Sequence, residues 1–270
     1  FHQRCGRRVR AEGGPVDCRQ PGVFEHLAAR MAALPVRTDD QVDELVIDEG
    51  QDFEQAWVAP LLASLRGDGR AWWLEDPMQN LYGRPPVTLP GWAVLHANTN
   101  YRNPRGIVDT VQKLVQPGEQ PEAASPFAEG VEDFLVYTDT KSLLDATTRA
   151  ITLALKAGFR REEIAVVTFT GRERSALRAF DRIGPHTLRR ATGRYDLTGG
   201  PEYSDGDFLL ETVYRFKGQS APCVIFTEID FEPWDELVGR KLFVGMTRAS
   251  MCLFPVLSDR SAGLLMQRLN

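Results

Sequence analysis

From residue 134 to the C-terminus, short apolar runs alternate with longer stretches of helical period. Residues 134–137, 164–169, 208–214, 223–229 and 251–257 read as strands. Residues 142–157, 172–183, 235–247 and 259–269 read as helices, the first closed by Gly158. Strands alternating with helices of this length argue for a mainly parallel sheet with helices on its faces. In such sheets ligands sit outside the carboxyl ends of the strands. Residues 184–206 are rich in turn formers.

The first half carries fewer elements. Residues 24–34 read as a helix and 42–47 as a strand. Residues 54–65 read as a helix, with Trp57, Leu61 and Leu65 on one face and Gly67 and Gly69 ending it. A second strand is expected over 70–74, a connection over 83–91, and a further strand over 93–97. Residues 104–115 read as a helix with Pro near its first turn, and 116–130 as a solvated loop.

Length allows one large domain or two medium ones, since the chain has 270 residues. A formal net charge of −5 does not favour a nucleic-acid partner, yet it does not exclude one, because groove contacts depend on local charge. Cys5, Cys18, Cys223 and Cys252 are scattered without C-x-x-C, which fits a reducing cytoplasm, and Cys252 reads as a small buried hydrophobe. The isolated His2, His26, His96 and His186 give no zinc spacing. No apolar run reaches the length of a membrane span. A start at Phe1 rather than Met suggests a fragment or a processed chain.

Polar clusters fall where the predicted strands stop. Leu45 to Phe53 read LVIDEGQDF, an apolar run that ends in adjacent carboxylates. Asp48 at such a strand end can hold Mg²⁺, and Glu49, pointing the other way, can take a proton from an attacking water. Asp52 reads equally as a helix cap. No G-x-x-x-x-G-K-[ST] occurs in the 270 residues, so the phosphate-cradling half of a nucleotide site is missing from them. After the next strand stand Glu75-Asp76-Pro77-Met78-Gln79, where Gln79 can contact a terminal phosphate, or the segment is simply a polar turn. In Asn100-Tyr101-Arg102-Asn103, Arg102 can clamp a phosphate and Tyr101 can stack on a base; the plain alternative is a surface Arg before a helix. Lys217-Gly218 suits close backbone approach to an anion, or a strand-end turn. Arg248 either projects a cation from the end of an apolar helix or complements the helix terminus.

Taken in order, DEGQDF, EDPMQNLYGR, NYRNPRGIVD, TVYRFKGQ and LFVGMTRAS resemble motifs II to VI of the UvrD/Rep-type superfamily 1 DNA helicases. The resemblance covers residues 45–257. It implies an α/β fold of two RecA-like (P-loop NTPase-type) parallel sheets covered by helices, with ATP and Mg²⁺ between them and single-stranded DNA across them. The first domain would be residues 1–95, incomplete, and the second 96–270, complete. By the same resemblance Asp48 holds Mg²⁺, Glu49 is the general base and Gln79 senses the γ-phosphate. Arg102 and Arg248 act as arginine fingers, a role worth roughly 10³–10⁵ in rate. Tyr101 stacks on adenine, and Lys217 and Gly218 lie near the nucleotide. Tyr82, Tyr214 and Phe216 are candidate rings for DNA bases, each equally readable as core.

Three departures qualify the resemblance. The family's Walker A strand, loop and Lys are expected before Phe1, so the first sheet should lack at least one central strand and the chain alone should not turn over ATP. Where the family has Gly-Leu-Glu, this chain has Gly218-Gln219-Ser220, removing a Glu expected near the ribose. The segment 184–207 is far shorter than the insertion of processive unwinding enzymes, which points to translocation or remodelling. Competing readings are a non-catalytic helicase-like interaction module and a metal-dependent nuclease using Asp48, Glu49 and Asp52. The second leaves the arginine-bearing motifs unexplained.

Overall fold

A computed structural model of the chain describes residues 2–12, 23–115, 121–128, 130–195 and 201–269. The chain divides between Val94 and Leu95 into two units. The strand expected over 93–97 does not form. That stretch is irregular, with Val94 74% and Leu95 85% exposed, so it has no apolar partner to pair against.

In the first unit, helices α1 (His2–Ala11) and α2 (Val23–Ala33) close over Cys5, Val9, Val23 and Leu27. Strands β1 (Val42–Ile47) and β2 (Leu65–Trp73) pair in parallel, and α3 (Gln55–Leu62) joins them. The expected helix over 54–65 is shorter because Ser64 Oγ folds back on Leu61 O at 2.6 Å, and the next residue already belongs to β2. Gly67 and Gly69 are therefore not helix terminators. They sit in an irregular stretch where β1 advances from Val42 to Glu44 while β2 advances from Leu65 to Arg70. A side chain at 69 would start 2.9 Å from Asp43 O, so this bulge needs glycine.

The second unit begins with β3 (Thr99–Asn100) and α4 (Arg105–Val115). β3 pairs in parallel with β4 (Glu122–Ala123), a strand inside the expected loop, of which 116–120 and 129 lie outside the described residues. The main sheet uses β5 (Leu135–Tyr137), β6 (Ile164–Thr168), β7 (Arg182–Ile183), β8 (His186–Arg189), β11 (Phe208–Thr212), β12 (Ala221–Ile229) and β13 (Ala249–Ser258). Their order is β5-β13-β12-β6-β11-β8-β7, parallel throughout except for the β7–β8 hairpin. β9 (Ala191–Tyr195) and β10 (Pro201–Tyr203) form a separate antiparallel pair, so the turn-rich stretch is mostly short strands; 196–200 lie outside the described residues.

Every residue of β6 and all but one of β12 are buried, as central parallel strands covered on both faces must be. Helix α5 (Thr140–Lys156) covers one face, burying Ala150, Ile151 and Ala154 with Ile164, Val166 and Ile225. It starts at a reciprocal cap: Ser142 N donates to Asp139 Oδ1 at 2.8 Å, and Asp139 N donates to Ser142 Oγ at 3.0 Å. Helix α6 (Glu236–Met246), capped by Asp235, lies over the opposite face, where Gly245 meets the ring of Phe226. The fold is thus mixed α/β with a parallel-dominated sheet.

The helix expected over 172–183 is replaced by turns and β7. The cause lies far along the chain. Leu177 N donates to Glu228 Oε1 and Thr170 Oγ1 to Glu228 Oε2, both at 3.1 Å. Glu228 is 3% exposed and left-handed (φ 56°), so its buried carboxylate requires these donors, and a helix would withdraw the Leu177 amide.

Helix α7 (Asp259–Leu269) is held by a further carboxylate. Asp230 accepts from Ser258 Oγ and from Arg260 Nε and Nη2, each at 2.6 Å. Arg260 chiefly, then Ser258, hold its carboxyl below the usual range. A depressed acid contributes stability that is full above its unfolded value and lost as pH falls through the folded one. Asp230→Asn is therefore expected to cost about 1 kcal/mol at pH 7, the pair being partly exposed. The gap from wild type should narrow as pH drops below about 4. Urea titrations at pH 7 and pH 3 check this.

Candidate functional site

In the first unit the chain leaves β1 through a turn that only glycine permits. A side chain at Gly50 would start 2.3 Å from Trp73 Nε1, so the indole closes directly over the turn. Glu49 is left-handed (φ 55°), a conformation that costs a non-glycine residue about 1–3 kcal/mol. A relay of carboxamides fixes it. Gln51 Nε2 donates to Glu49 Oε2 at 2.6 Å, and Gln51 Oε1 accepts from Asp76 N at 3.0 Å. Asp76 Oδ2 in turn accepts from Gln79 Nε2 at 3.0 Å. Gln79 Oε1 is buried and has no hydrogen-bond partner among the described residues. Asp48 is exposed beside this relay, its Oδ1 accepting from Glu49 N. So Asp48, Glu49 and Gln79 gather at the carboxyl ends of β1 and β2. Asp52 is not the cap of α3: Glu54 holds that position, without a side-chain cap.

The neighbouring loop is closed by Asn80, whose Nδ2 donates to Arg84 O (2.7 Å) and whose Oδ1 accepts from Arg84 N (3.1 Å). Gly83 is left-handed at its tip, and Tyr82 stands 56% exposed beside it. Partial burial, and then the Asp52 carboxylate, raise the Tyr82 phenol above its ordinary value.

The second unit draws three distant segments to one sheet edge. Asn100 Oδ1 accepts from the amides of Arg102 and Asn103, a turn that turns Tyr101 (76% exposed) and Arg102 to solvent. Asn103 is buried, and its Nδ2 donates to Thr247 O (2.9 Å) and Ala249 O (2.7 Å), on either side of Arg248. Arg248 does not project as a free cation. It is 2% exposed, donating through Nε to Val244 O (3.1 Å), Nη1 to Gln219 O (3.3 Å) and Nη2 to Thr247 Oγ1 (3.2 Å). Gly218, left-handed, and the half-buried Lys217 lie next to Gln219. Tyr101, Arg102, Lys217, Gly218 and Arg248 thus share the edge where β12 and β13 begin.

Tyr214 and Phe216 fare differently. Tyr214 follows β11 at the other end of the sheet, with the Lys241 ammonium 5.5 Å from its ring centroid. Lys241 also lies 4.9 Å from the Phe169 ring, and burial, then the Arg174 charge, lower its pKa. Phe216 is 2% exposed, so its ring packs in the core and offers no face to a base.

Residues 207–254 match the model of the family described as UvrD-like helicase C-terminal domain. That segment is similar to the C-terminal domain of UvrD-like helicases. The matched segment runs from the approach to β11 into β13 and holds Tyr214, Lys217, Gly218 and Arg248. Two solved structures are similar. The C-terminal domain of a possible DNA helicase from Lactobacillus plantarum WCFS1 shares 15% identity at a TM-score of 0.43, over 63% of this chain and 94% of that one. An Arterivirus nonstructural protein 10 (helicase), in complex with DNA, shares 14% identity at 0.40, over 83% of this chain and 42% of that one. Neither likeness is close enough to carry an argument. No curated protein matches by sequence.

Sequence reasoning passed over Asn103 as a staple, Lys241 as a buried cation, and the arginines around 172–190. The last were hidden by reading that segment as a helix. Among the described residues no group of three His, Cys, Asp or Glu side chains suits a metal, and no helix is long and apolar enough to cross a membrane.

Proposed function

We propose that the UvrD-like portion belongs to an ATP-dependent motor that moves along single-stranded DNA. In this reading the units at 1–94 and 95–270 are parts of two RecA-like lobes. The observation that carries the reading is the Asn103 staple, which sets Tyr101, Arg102, Gly218 and Arg248 at one edge of one sheet. A nucleotide with several phosphates needs such an edge: cations for the charge, an exposed ring for the base, and a glycine where backbone approaches closely.

The first unit supplies the complementary chemistry. Asp48, a single exposed carboxylate at a strand end, fits Mg²⁺, which takes one or two carboxylates and completes its shell with phosphates and water. Mg²⁺ would neutralise phosphate charge. Glu49, anchored by Gln51, accepts the proton of the attacking water. Gln79, whose Nε2 gives one N–H to Asp76 Oδ2 and has a second to donate, contacts the terminal phosphate through that second N–H and passes its presence through Asp76 and Gln51 to Glu49. Arg102 and Arg248 stabilise the charge of the transferred phosphoryl group, Arg248 after release from its carbonyl partners. Tyr82 and Tyr214 are the rings offered to bases.

The full-length protein, assayed with Mg²⁺, is expected to turn over ATP faster when single-stranded DNA is added. The 270-residue chain, which contains no G-x-x-x-x-G-K-[ST], is expected to show no turnover. A full-length protein without DNA-stimulated turnover would overturn the reading.

A further inference from the structure

Four cysteines are spread over the sequence, and the fold sets two of them side by side. Cys223 of β12 and Cys252 of β13 are partners in the parallel pairing of these neighbouring strands. An irregularity in the ladder puts them there. From the pair Ala221–Ala249 to the pair Cys223–Cys252, β12 advances two residues while β13 advances three. In a regular ladder Cys223 would face Met251, and Cys252 would point to the other side of the sheet. The bulge turns Cys252 to the side of Cys223, and both join the core beneath α5.

Both are free thiols. Neighbouring strands lie about 4.8 Å apart. A disulfide spans Cα atoms roughly 4.4–6.8 Å apart, most often about 5.5–6 Å. The pair is within bridging reach, at the short end of the range, where the bond is strained and readily reduced. The two sulfurs already interact: hydrogen bonding with Cys252, then burial, pushes the Cys223 thiol above its ordinary value. Cys223 therefore stays protonated at neutral pH.

Cys252 is the sulfur with a way out. Its Sγ donates to Glu132 Oε1 at 3.6 Å, and Glu132 is exposed. β5 pairs with β13 only from Val256 onward. At the level of Cys252 that side of β13 is met by a single bridge, Val131 to Leu253, where Leu253 N donates to Gly130 O and Glu132 N to Leu253 O. A small oxidant has only the Glu132 side chain to pass before it meets Cys252.

We propose that Cys223 and Cys252 are a reversible, redox-sensitive cross-linking site between β12 and β13, closed by a peroxide and reopened by a dithiol. Cys252 loses its proton to water past Glu132, and its sulfur attacks one peroxide oxygen. An S–O bond forms, the O–O bond breaks, and the leaving hydroxide takes up a proton as water. The Cys223 sulfur then attacks the Cys252 sulfur. An S–S bond forms, the S–O bond breaks, and the departing hydroxide carries off the Cys223 proton as water. Two thiols and one peroxide give one disulfide and two waters, and the two electrons lost by the sulfurs go to the peroxide. The inference stands apart from the motor reading and needs neither nucleotide nor nucleic acid.

The test treats the folded full-length protein, reduced and then freed of reductant, with a slight excess of hydrogen peroxide. Alkylation and tryptic digestion without reduction follow. Cleavage after Lys217, Arg240, Arg248 and Arg260 places Cys223 in the peptide 218–240 and Cys252 in the peptide 249–260. The expected product is these two peptides joined, two hydrogens lighter than their sum, and separated again by dithiothreitol. In Cys223→Ser, peroxide should leave Cys252 as a sulfenic acid that dimedone traps; in Cys252→Ser, Cys223 should remain a thiol. Wild-type protein whose two thiols both stay open to alkylation after peroxide and unfolding would overturn the inference. So would a joined peptide that forms only when urea is present during oxidation, or Cys252 joined to a cysteine other than Cys223. These readouts on wild type hold even if a serine variant fails to fold.

Discussion

Glu49→Gln in the full-length protein is expected to lower ATP turnover by about 10²–10⁴-fold while leaving the fold and ATP binding in place. The substitution separates basicity from position. Gln51 Nε2 donates to Glu49 Oε2 at 2.6 Å, and a glutamine oxygen can accept the same bond. Its left-handed backbone (φ 55°) disfavours both side chains alike, so stability should change little. What disappears is the ability to take a proton. A steady-state assay should therefore show a collapsed kcat with KM for ATP within a few-fold, and oligonucleotide binding retained. Turnover within a factor of three of wild type would remove Glu49 from the role of general base.

Gly245→Ala is expected to destabilise the second unit by about 2 kcal/mol. A Cβ there would lie 2.1 Å from Phe226 Cζ and 2.4 Å from both Cε atoms. Phe226 is fully buried and packed on Phe169 at 6.0 Å between centroids, so its ring has nowhere to swing. Overpacking of this kind costs about 1–3 kcal/mol or more, against about 1 kcal/mol gained from replacing a helical glycine. The clash wins, and a drop in melting temperature of roughly 4–8 °C should follow in thermal unfolding of the 270-residue chain. The variant Gly245→Ala/Phe226→Leu should recover part of the loss, because the shortened side chain removes the collision. An unchanged melting temperature in the single variant would mean that α6 does not press on β12 there.

Most of the second unit was readable because its elements are long and their patterns unmixed. The stretch 223–226 is apolar throughout, as expected of a strand buried on both faces, and α5 and α6 carry helical periods with Asp caps. What failed was decided at a distance. The apolar spacing in 172–183 is helical, but Glu228, more than forty residues on, claims the Leu177 amide. Gly67 and Gly69 look like a helix stop and are a bulge, which only the pairing with β1 reveals. At the site, residue types located the chemistry but not its posture. The sequence marks Arg248 as a cation, yet its ties to Val244, Thr247 and Gln219 depend on three segments meeting. Phe216 carries no signal separating core from surface, because an aromatic after a strand serves either.

Eight residues, 213–220, connect the end of β11 to the start of β12. They must travel back about 20 Å, the drop from the level of Thr227 to Ala221. Part of that length is consumed in hydrogen-bonded turns at Arg215, Phe216 and Gln219. Little slack is left. The strap is anchored by buried Val213 and Phe216 and has Gly218 as its one left-handed joint. The guanidinium that holds Gln219 and the residues Tyr214 and Arg215 therefore sit at opposite ends of one short, anchored segment.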